Sequence, residues 1–374
     1  MVRKEGHHER LSNRVNDFLL YLFYFCIELY LSWCVAQERR YEKKLKRNEQ
    51  FKLDIQSQLN KVKNQSSPSL AEVRRVRLLL KRRVYFDLFN EVIMEAYQET
   101  ENRLVIRQYM LCFEGVIESL LRKKFGMTEL SKLRLSKLVG YYQLDSQVVQ
   151  DFLLDCLKQN SIYLKLNALT ALAQIGNLSS FLEAIDIVSS ESTLYNDRFL
   201  IDIFGKYTGH QDYLHTEIVE KFHLFTVELQ VILVQYFTTR CCSAIEPVLI
   251  EVLDKNEKSE KELHLGAIRY FMHHPKSCFE PVLIKYLTHS DWEYRALSAT
   301  ALKHYMNESV IDELFKAIED KNWYVRFNSA MTLCAFQLEE RIKKYIEKTN
   351  DHYSKDILSY ALLLKEHRLH NELI

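Results

Sequence analysis

Three helical segments with the same apolar register recur at a fixed spacing in the C-terminal third of the chain. They span residues 262–271, 293–302 and 324–333. Each ends on an apolar residue 31 positions from the next: Phe271, Leu302 and Leu333. Equivalent apolar positions continue outward in steps of about 29 to 34 residues, a period typical of stacked helical repeats: Leu138, Leu172, Phe204, Phe237 and Leu362. The spacing predicts an all-α fold, a solenoid of stacked helical hairpins.

Composition supports long runs of helix. The 374 residues include only 8 Gly and 4 Pro, and 47% of them are apolar. Few turn-forming residues suit helices joined by short connections. A chain of this length could hold two or three globular domains, but a solenoid stays continuous because each repeat packs only on its neighbours.

The eight cysteines show no paired spacing apart from one adjacent pair. They are Cys26, Cys34, Cys112, Cys156, Cys241, Cys242, Cys278 and Cys334. Most fall within apolar helical segments, which favours small buried hydrophobic residues in a reducing compartment over a disulfide framework.

The N-terminal region contains one long apolar segment. A polar arm, residues 1–17, precedes residues 18–36, nineteen residues with the single charge Glu28. As a helix this segment is long enough to cross a bilayer, and Tyr30 and Trp33 suit its interface. We predict a transmembrane helix. A cleavable signal peptide and a buried core helix remain as alternatives.

Two polar residues in the predicted membrane helix share a face. Glu28 and Ser32 lie one turn apart. The carboxyl of Glu28 either faces a partner helix or is tolerated by a single span.

The flanking charges predict the orientation. Four basic residues precede the span, and seven follow it: Arg39, Arg40, Lys43, Lys44, Lys46, Arg47 and Lys52. Positive flanks stay in the cytoplasm. We therefore expect a single-pass protein of the cell membrane with its C-terminal solenoid in the cytoplasm.

A basic region follows the predicted span. Residues 37–68 form a juxtamembrane segment and residues 69–130 an N-terminal helical cap, and residues 37–84 carry 15 Lys/Arg against 5 Asp/Glu. The helix over residues 69–84 has one apolar stripe: Leu70, Val73, Val76, Leu80 and Val84. Its basic residues, Arg74, Arg75 and Arg77 among them, are expected to face membrane lipid together with those of the flank. The alternative is that this helix only caps the solenoid and its basic residues face water. Nucleic acid is not an expected partner.

The repeat segments resemble a known family. Residues 291–302 read DWEYRALSATAL and residues 322–333 read NWYVRFNSAMTL. They are similar to the second helix of HEAT repeats, with its Val-Arg-x-x-Ala-x-x-Ala-Leu type of signature. Residues 163–176 match it with Lys165 in place of the arginine. The resemblance covers about residues 130–365, within a predicted repeat domain of residues 131–374. It implies a fold but does not define an activity.

The resemblance also suggests roles for the signature cations. Arg295 and Arg326, with Lys165 at the same position, are expected to pair with an acidic group in the preceding turn, Asp291 or Asp320. Such pairs would join successive repeats. A phosphate-binding ladder is the alternative.

A set of side chains on the inner helices is predicted to contact a partner. Trp292 and Trp323 share one repeat position and are expected to pack at the turn between helices; if exposed and stacked, they would instead be anchors for a bound protein. The complete set is Arg269, Tyr270, Trp292, Lys303, His304, Tyr305 and Trp323.

No local signature of an enzyme is present. We find no glycine-rich phosphate loop, nucleophile elbow or His-Glu-x-x-His helix, and we expect neither a cofactor nor a metal. The predicted function is a membrane-anchored scaffold or adaptor whose concave face binds a membrane-associated protein. HEAT proteins with one membrane helix resemble bacterial accessory subunits of membrane enzymes such as polysaccharide glycosyltransferases. The alternative is an enzyme on a HEAT-like frame, of lyase, isomerase or DNA glycosylase type.

Overall fold

Twenty α-helices make up most of the chain that the structure describes, and this part contains no β-strand. This computed structural model describes the backbone of residues 2–98, 103–122, 127–190, 197–254 and 260–371. Side chains are described within these ranges from residue 27 to residue 366, Glu28 excepted. The prediction of an all-α fold is confirmed.

The first seven helices are α1 Val2–Lys63, α2 Leu70–Leu80, α3 Arg83–Gln98, α4 Arg103–Leu111, α5 Glu114–Leu121, α6 Glu129–Tyr141 and α7 Gln147–Leu157. The next seven are α8 Ile162–Ile175, α9 Leu178–Ser189, α10 Asp197–Gly205, α11 Gln211–Glu220, α12 Val227–Arg240, α13 Glu246–Asp254 and α14 Lys261–His273. The last six are α15 Glu280–Tyr286, α16 Trp292–Ala301, α17 Glu308–Ala317, α18 Trp323–Ala335, α19 Glu339–Lys348 and α20 His352–Asn371.

The chain divides into two compact units. Unit 1 comprises residues 1–131 and 142–152, and unit 2 comprises residues 132–141 and 153–374. The boundaries proposed from the sequence at 36, 68 and 130 stay predictions.

In unit 1, the C-terminal part of α1 is a core helix. Phe51, Ile55 and Leu59 recur every four residues and are buried where α1 packs on α3 and α4. The Tyr109 hydroxyl donates a 2.9 Å hydrogen bond to Gln58, which satisfies a buried amide on the same face. The second half of the predicted juxtamembrane segment is therefore part of the folded core.

Helix α2 begins at a capping box. The Ser69 hydroxyl accepts from the Glu72 backbone N–H while the Glu72 carboxylate accepts from the Ser69 N–H at 2.8 Å, so two otherwise unpaired donors are satisfied. Burial is limited to Val73, Val76 and Leu80. The predicted apolar stripe is shorter than expected because Leu70 and Val84 are exposed.

Unit 2 is a stack of helical hairpins. The even-numbered helices α8 to α20 pack each on the next, and the odd-numbered helices α13, α15, α17 and α19 each pack on the following even helix. The equivalent apolar positions Phe271, Leu302 and Leu333 are all fully buried. In α20 the register differs by one position, because Ala361 is buried whereas Leu362 is half-buried.

A single helix, α1, continues through the predicted arm, the predicted span and most of the juxtamembrane segment. In the predicted span, the described side chains, Ile27 and residues 29–36, are exposed except for the half-buried Cys34. The side chains of residues 1–26 and of Glu28 lie outside the described part. Where helices could be assessed, none combines the length and the apolarity needed to cross a membrane.

Candidate functional site

Five aromatic rings form a continuous row across α16, α18 and α20. The Trp292 ring stacks on Tyr324 with their centroids 5.2 Å apart, and Tyr324 meets Trp323 edge to face at 5.2 Å. Trp323 stacks on Phe327 at 4.9 Å, and the Phe327 ring lies 6.1 Å from that of Tyr360. We name these five residues the aromatic surface.

The aromatic surface is open to solvent. Trp292 is 37% exposed, Trp323 47%, Tyr324 54% and Tyr360 48%. Single exposed apolar residues are ordinary, but contiguous exposed rings mark sites of interaction. The row can therefore accept a partner without rearrangement of the core.

Two helix caps place the tryptophans. The Asp291 side chain accepts a 3.1 Å hydrogen bond from the Glu293 N–H, and Asn322 accepts a 2.9 Å bond from the Tyr324 N–H. An Asp or Asn cap fixes the residue at which a helix begins. Both helices thus start on a tryptophan, which brings Trp292 and Trp323 to the same level of the stack.

Side-chain bonds to the neighbouring backbone hold α18 against α16. The Asn328 amide donates to the Ala296 carbonyl and the Thr332 hydroxyl donates to the Ala299 carbonyl, both at 2.8 Å. These bonds fix the spacing of the helices that carry most of the rings. A prearranged surface loses less conformational entropy on binding.

One lysine bridges two carboxylates beside Trp292. The Lys261 ammonium lies 2.7 Å from the Asp291 carboxylate and also pairs with Glu293. Hydrogen bonds to Asp291 and Glu293 raise the pKa of Lys261 well above its usual range. This end of the aromatic surface therefore presents rings beside a paired set of charges.

Arg295, one turn after Trp292, joins two repeats. Its guanidinium makes a bidentate pair with Asp320 at 2.6 and 2.9 Å. It also donates to the carbonyls of His289 and Ser290 at 2.8 and 3.0 Å. Arg295 is buried, so these bonds replace its hydration. The expected partner in the preceding turn, Asp291, pairs with Lys261 instead, and the observed partner Asp320 lies in the turn before α18.

The pKa of Asp320 reflects this pair. Burial acts to raise the pKa of the carboxyl, but hydrogen bonds from Arg295 and the Asn322 N–H outweigh it, and the pKa lies below its usual value. A carboxyl with a depressed folded-state pKa contributes stability above its unfolded-state pKa. That contribution is lost as the pH falls through the folded-state value.

We therefore expect acid to destabilise the wild-type chain more steeply than an Asp320→Asn variant. The comparison is of urea unfolding midpoints, followed by circular dichroism, between neutral pH and about pH 3. Asp312→Asn is the matched control, because Asp312 is an exposed carboxylate paired with Arg341. Equal pH slopes for the wild type and Asp320→Asn would contradict the role of this pair.

The other signature cations have different contacts. Arg326 donates to the Asp320 carbonyl at 2.7 Å, and its guanidinium lies 5.2 Å from the centre of the Tyr353 ring. Arg326 therefore reaches α20 through a cation–π contact. Lys165 is buried within α8.

Two predicted partner contacts are not available at the surface. Tyr270 is 1% exposed and its hydroxyl donates to the Cys242 carbonyl at 2.8 Å. Tyr305 is 7% exposed and its hydroxyl bonds the Lys276 carbonyl at 3.0 Å. Both hydroxyls hydrogen-bond the backbone of turns between helices, and both side chains are buried. The predictions that Tyr270 and Tyr305 contact a partner are therefore wrong. The other predicted contacts, Arg269, Lys303 and His304, are exposed.

Three members of the aromatic surface were not predicted. Tyr324 directly follows Trp323, and Phe327 lies one helical turn further on, so the sequence carried a signal for both. Tyr360 lies in another helix. Its place beside Phe327 depends on how α20 packs on α18, which no local pattern gives.

In unit 1, part of the basic segment lines a groove of about 540 Å³. Its apolar lining includes Phe51, Leu78 and Leu79, and Arg47, Arg74 and Arg75 also line it. An apolar floor beside guanidinium groups suits an anionic amphiphile.

The remaining predicted lipid-facing residues lie on α1 and α2. Arg39, Arg40, Lys43, Lys44 and Lys46 are exposed, as are Tyr30, Ser32 and Trp33. Arg77 is also exposed, but its guanidinium donates to the Cys112 carbonyl at 2.7 Å, and Arg75 lies 3.4 Å from Asp54. These two therefore have partners inside unit 1.

Within the ranges that the structure describes, no three His, Cys, Asp or Glu side chains come together in an arrangement that could hold a metal ion. The described cysteines are free thiols: Cys34, Cys112, Cys156, Cys241, Cys242, Cys278 and Cys334. Cys26 lies outside the described side chains.

Fold and site together define an α-helical repeat protein with an exposed aromatic surface. Residues 280–353 match the family model of the HEAT repeats, and the predicted HEAT-like repeats are confirmed. The matched region contains α15 to α19 and four of the five rings. No curated protein matches the chain. The solved structures that match include a crystal structure described as an engineered protein, from the Northeast Structural Genomics Consortium. It is 15% identical, with 78% of this chain and 87% of that chain covered and a TM-score of 0.34.

Proposed function

We propose that the chain is a membrane-attached scaffold that binds a protein partner through the aromatic surface. The observation that carries this proposal is the continuous row of five contacting rings across three successive repeats. HEAT-like repeats are suited to protein–protein interaction because stacked helices offer long continuous surfaces.

The chemistry of the surface favours a protein over a small ligand. Tryptophan and tyrosine supply much of the binding energy in protein interfaces, where they fill apolar pockets of the partner. The rings lie on an open face, whereas a small ligand is usually enclosed. Paired charges such as Lys261 with Asp291 resemble the polar rim around an interface core.

The membrane attachment that we propose uses residues 18–36 as a single span. Its support is the length and apolarity of this segment, together with the exposure of its described part. The basic residues of α1 would face anionic lipid on the cytoplasmic side. So would the groove lined by Arg47, Arg74 and Arg75. Confinement to the membrane raises the effective concentration of the scaffold for membrane partners. A membrane enzyme, such as a polysaccharide glycosyltransferase, is the partner class that we propose.

Two fractionation experiments test this proposal. Alkaline carbonate extraction should leave the chain in the membrane pellet, and its release would contradict the span. Affinity capture from membranes solubilised in mild detergent should recover one membrane protein in stoichiometric amount. A chain recovered alone that turns over a small molecule would favour an enzyme instead.

A further inference from the structure

A hydrogen-bonded chain of side chains ends on a thiol where α12 meets α13. The Cys242 sulfur lies 3.4 Å from His215 Nδ1, and His215 Nε2 lies 3.0 Å from the Tyr236 hydroxyl. The Tyr236 hydroxyl in turn donates to the Gln211 side-chain oxygen at 3.2 Å. The four residues come from α11, α12 and the turn after α12.

The directions of these bonds fix the state of His215. The Gln211 amide nitrogen donates to the Tyr207 carbonyl at 2.8 Å, so its oxygen faces Tyr236 and accepts from the hydroxyl. Tyr236 then accepts from His215, which places the imidazole proton on Nε2. The lone pair of Nδ1 is left to face the Cys242 thiol.

The surroundings hold this geometry. The Tyr270 hydroxyl donates to the Cys242 carbonyl at 2.8 Å and fixes the turn, and the His215 ring packs 5.3 Å from that of Phe237. Burial lowers the pKa of His215, so the imidazole is neutral near pH 7 and Nδ1 keeps its lone pair. Cys242 is half-buried and stays open to a small reagent.

We propose that Cys242 is a reactive thiol, activated by His215, that exchanges with low-molecular-weight disulfides. A nucleophile beside a base that a third group orients is the usual arrangement of an activated thiol. His215 Nδ1 takes the thiol proton as the Cys242 sulfur attacks one sulfur of the disulfide. The disulfide bond breaks as the new bond to Cys242 forms, and the departing thiolate takes the proton from His215. One mixed disulfide and one free thiol result, and no further oxidant is needed.

Two other thiols of the chain serve as internal controls. Cys241 and Cys278 are more exposed than Cys242, and in the described part of the chain neither has a histidine within hydrogen-bond distance. If exposure alone set the reaction rate, Cys242 would react more slowly than Cys241 and Cys278. Activation by His215 predicts the opposite order.

The test treats the purified full-length chain at pH 7 with oxidised glutathione and follows each cysteine by mass spectrometry. We expect Cys242 to be modified at least about tenfold faster than Cys278. A positioned base usually accelerates a reaction by about a hundredfold or more, so this is a modest expectation. His215→Asn should lower the Cys242 rate to that of Cys278. Tyr236→Phe keeps the buried ring but removes the hydroxyl, and it should lower the rate less.

Far-UV circular dichroism and a thermal melt establish that each variant is folded. A Cys242 rate no faster than that of Cys278 in the wild type overturns the proposal. An unchanged Cys242 rate in folded His215→Asn also overturns it. If His215→Asn does not fold, an unchanged Cys242 rate in Tyr236→Phe overturns the proposal instead. None of these outcomes depends on a membrane or on a protein partner, so they are independent of the proposed scaffold function.

Discussion

Replacing Asp320 with alanine should lower the free energy of unfolding by about 3 kcal/mol, the low end of the effect of breaking a buried ion pair. The variant leaves the Arg295 guanidinium buried with two of its hydrogen bonds unmade. It also removes the acceptor of the Asn322 N–H at 2.8 Å, just before α18. The loss therefore falls on the junction between two repeats.

Asp312→Ala is the control for this experiment. Asp312 pairs with Arg341 at 2.7 Å, but both side chains are exposed to solvent. Surface pairs of this kind contribute about 1 kcal/mol or less. Urea denaturation at pH 7 measures both variants, and equal losses would show that Arg295 and Asp320 do not hold the repeats together.

Trp323→Ala should weaken binding of the captured partner about thirtyfold, the loss of about 2 kcal/mol typical of an interface hot spot. Trp323 is central to the aromatic surface, because its ring contacts both Tyr324 and Phe327. Its truncation removes one large ring and loosens the two beside it. Isothermal titration calorimetry with the purified partner gives the affinity.

The matched control for this variant is Tyr163→Ala. Tyr163 is an exposed aromatic residue in α8, away from the aromatic surface. Its truncation should leave the affinity unchanged and should not alter the melting temperature. An equal loss of affinity in both variants would mean that the partner binds elsewhere.

Much of the repeat architecture follows from the sequence alone. Phe271, Leu302 and Leu333 were assigned equivalent repeat positions from their 31-residue spacing, and all three are fully buried. The spacing is informative because every repeat must bury the same face against its neighbours. The tryptophans were found in the same way, since a shared repeat position implies a shared place in the stack.

Other features depend on tertiary contacts that no local pattern contains. Tyr270 lies next to an exposed residue of α14, and Tyr305 follows the exposed His304 just after α16, but the hydroxyls of both tyrosines reach the backbone of neighbouring turns and are buried there. The basic composition of residues 37–68 suggested a juxtamembrane segment that faces lipid. Its apolar residues Phe51, Ile55 and Leu59 instead complete the core of unit 1, because α3 and α4 supply a surface for them.

Site-specific photo-crosslinking in intact cells tests most directly whether the aromatic surface is the binding site. Benzoylphenylalanine is introduced in place of Tyr324, and in a second strain in place of Lys344, an exposed residue of α19. We predict one crosslinked protein, in the membrane fraction, from position 324 and none from position 344. The same products from both positions, or a product from position 344 alone, would contradict the assignment.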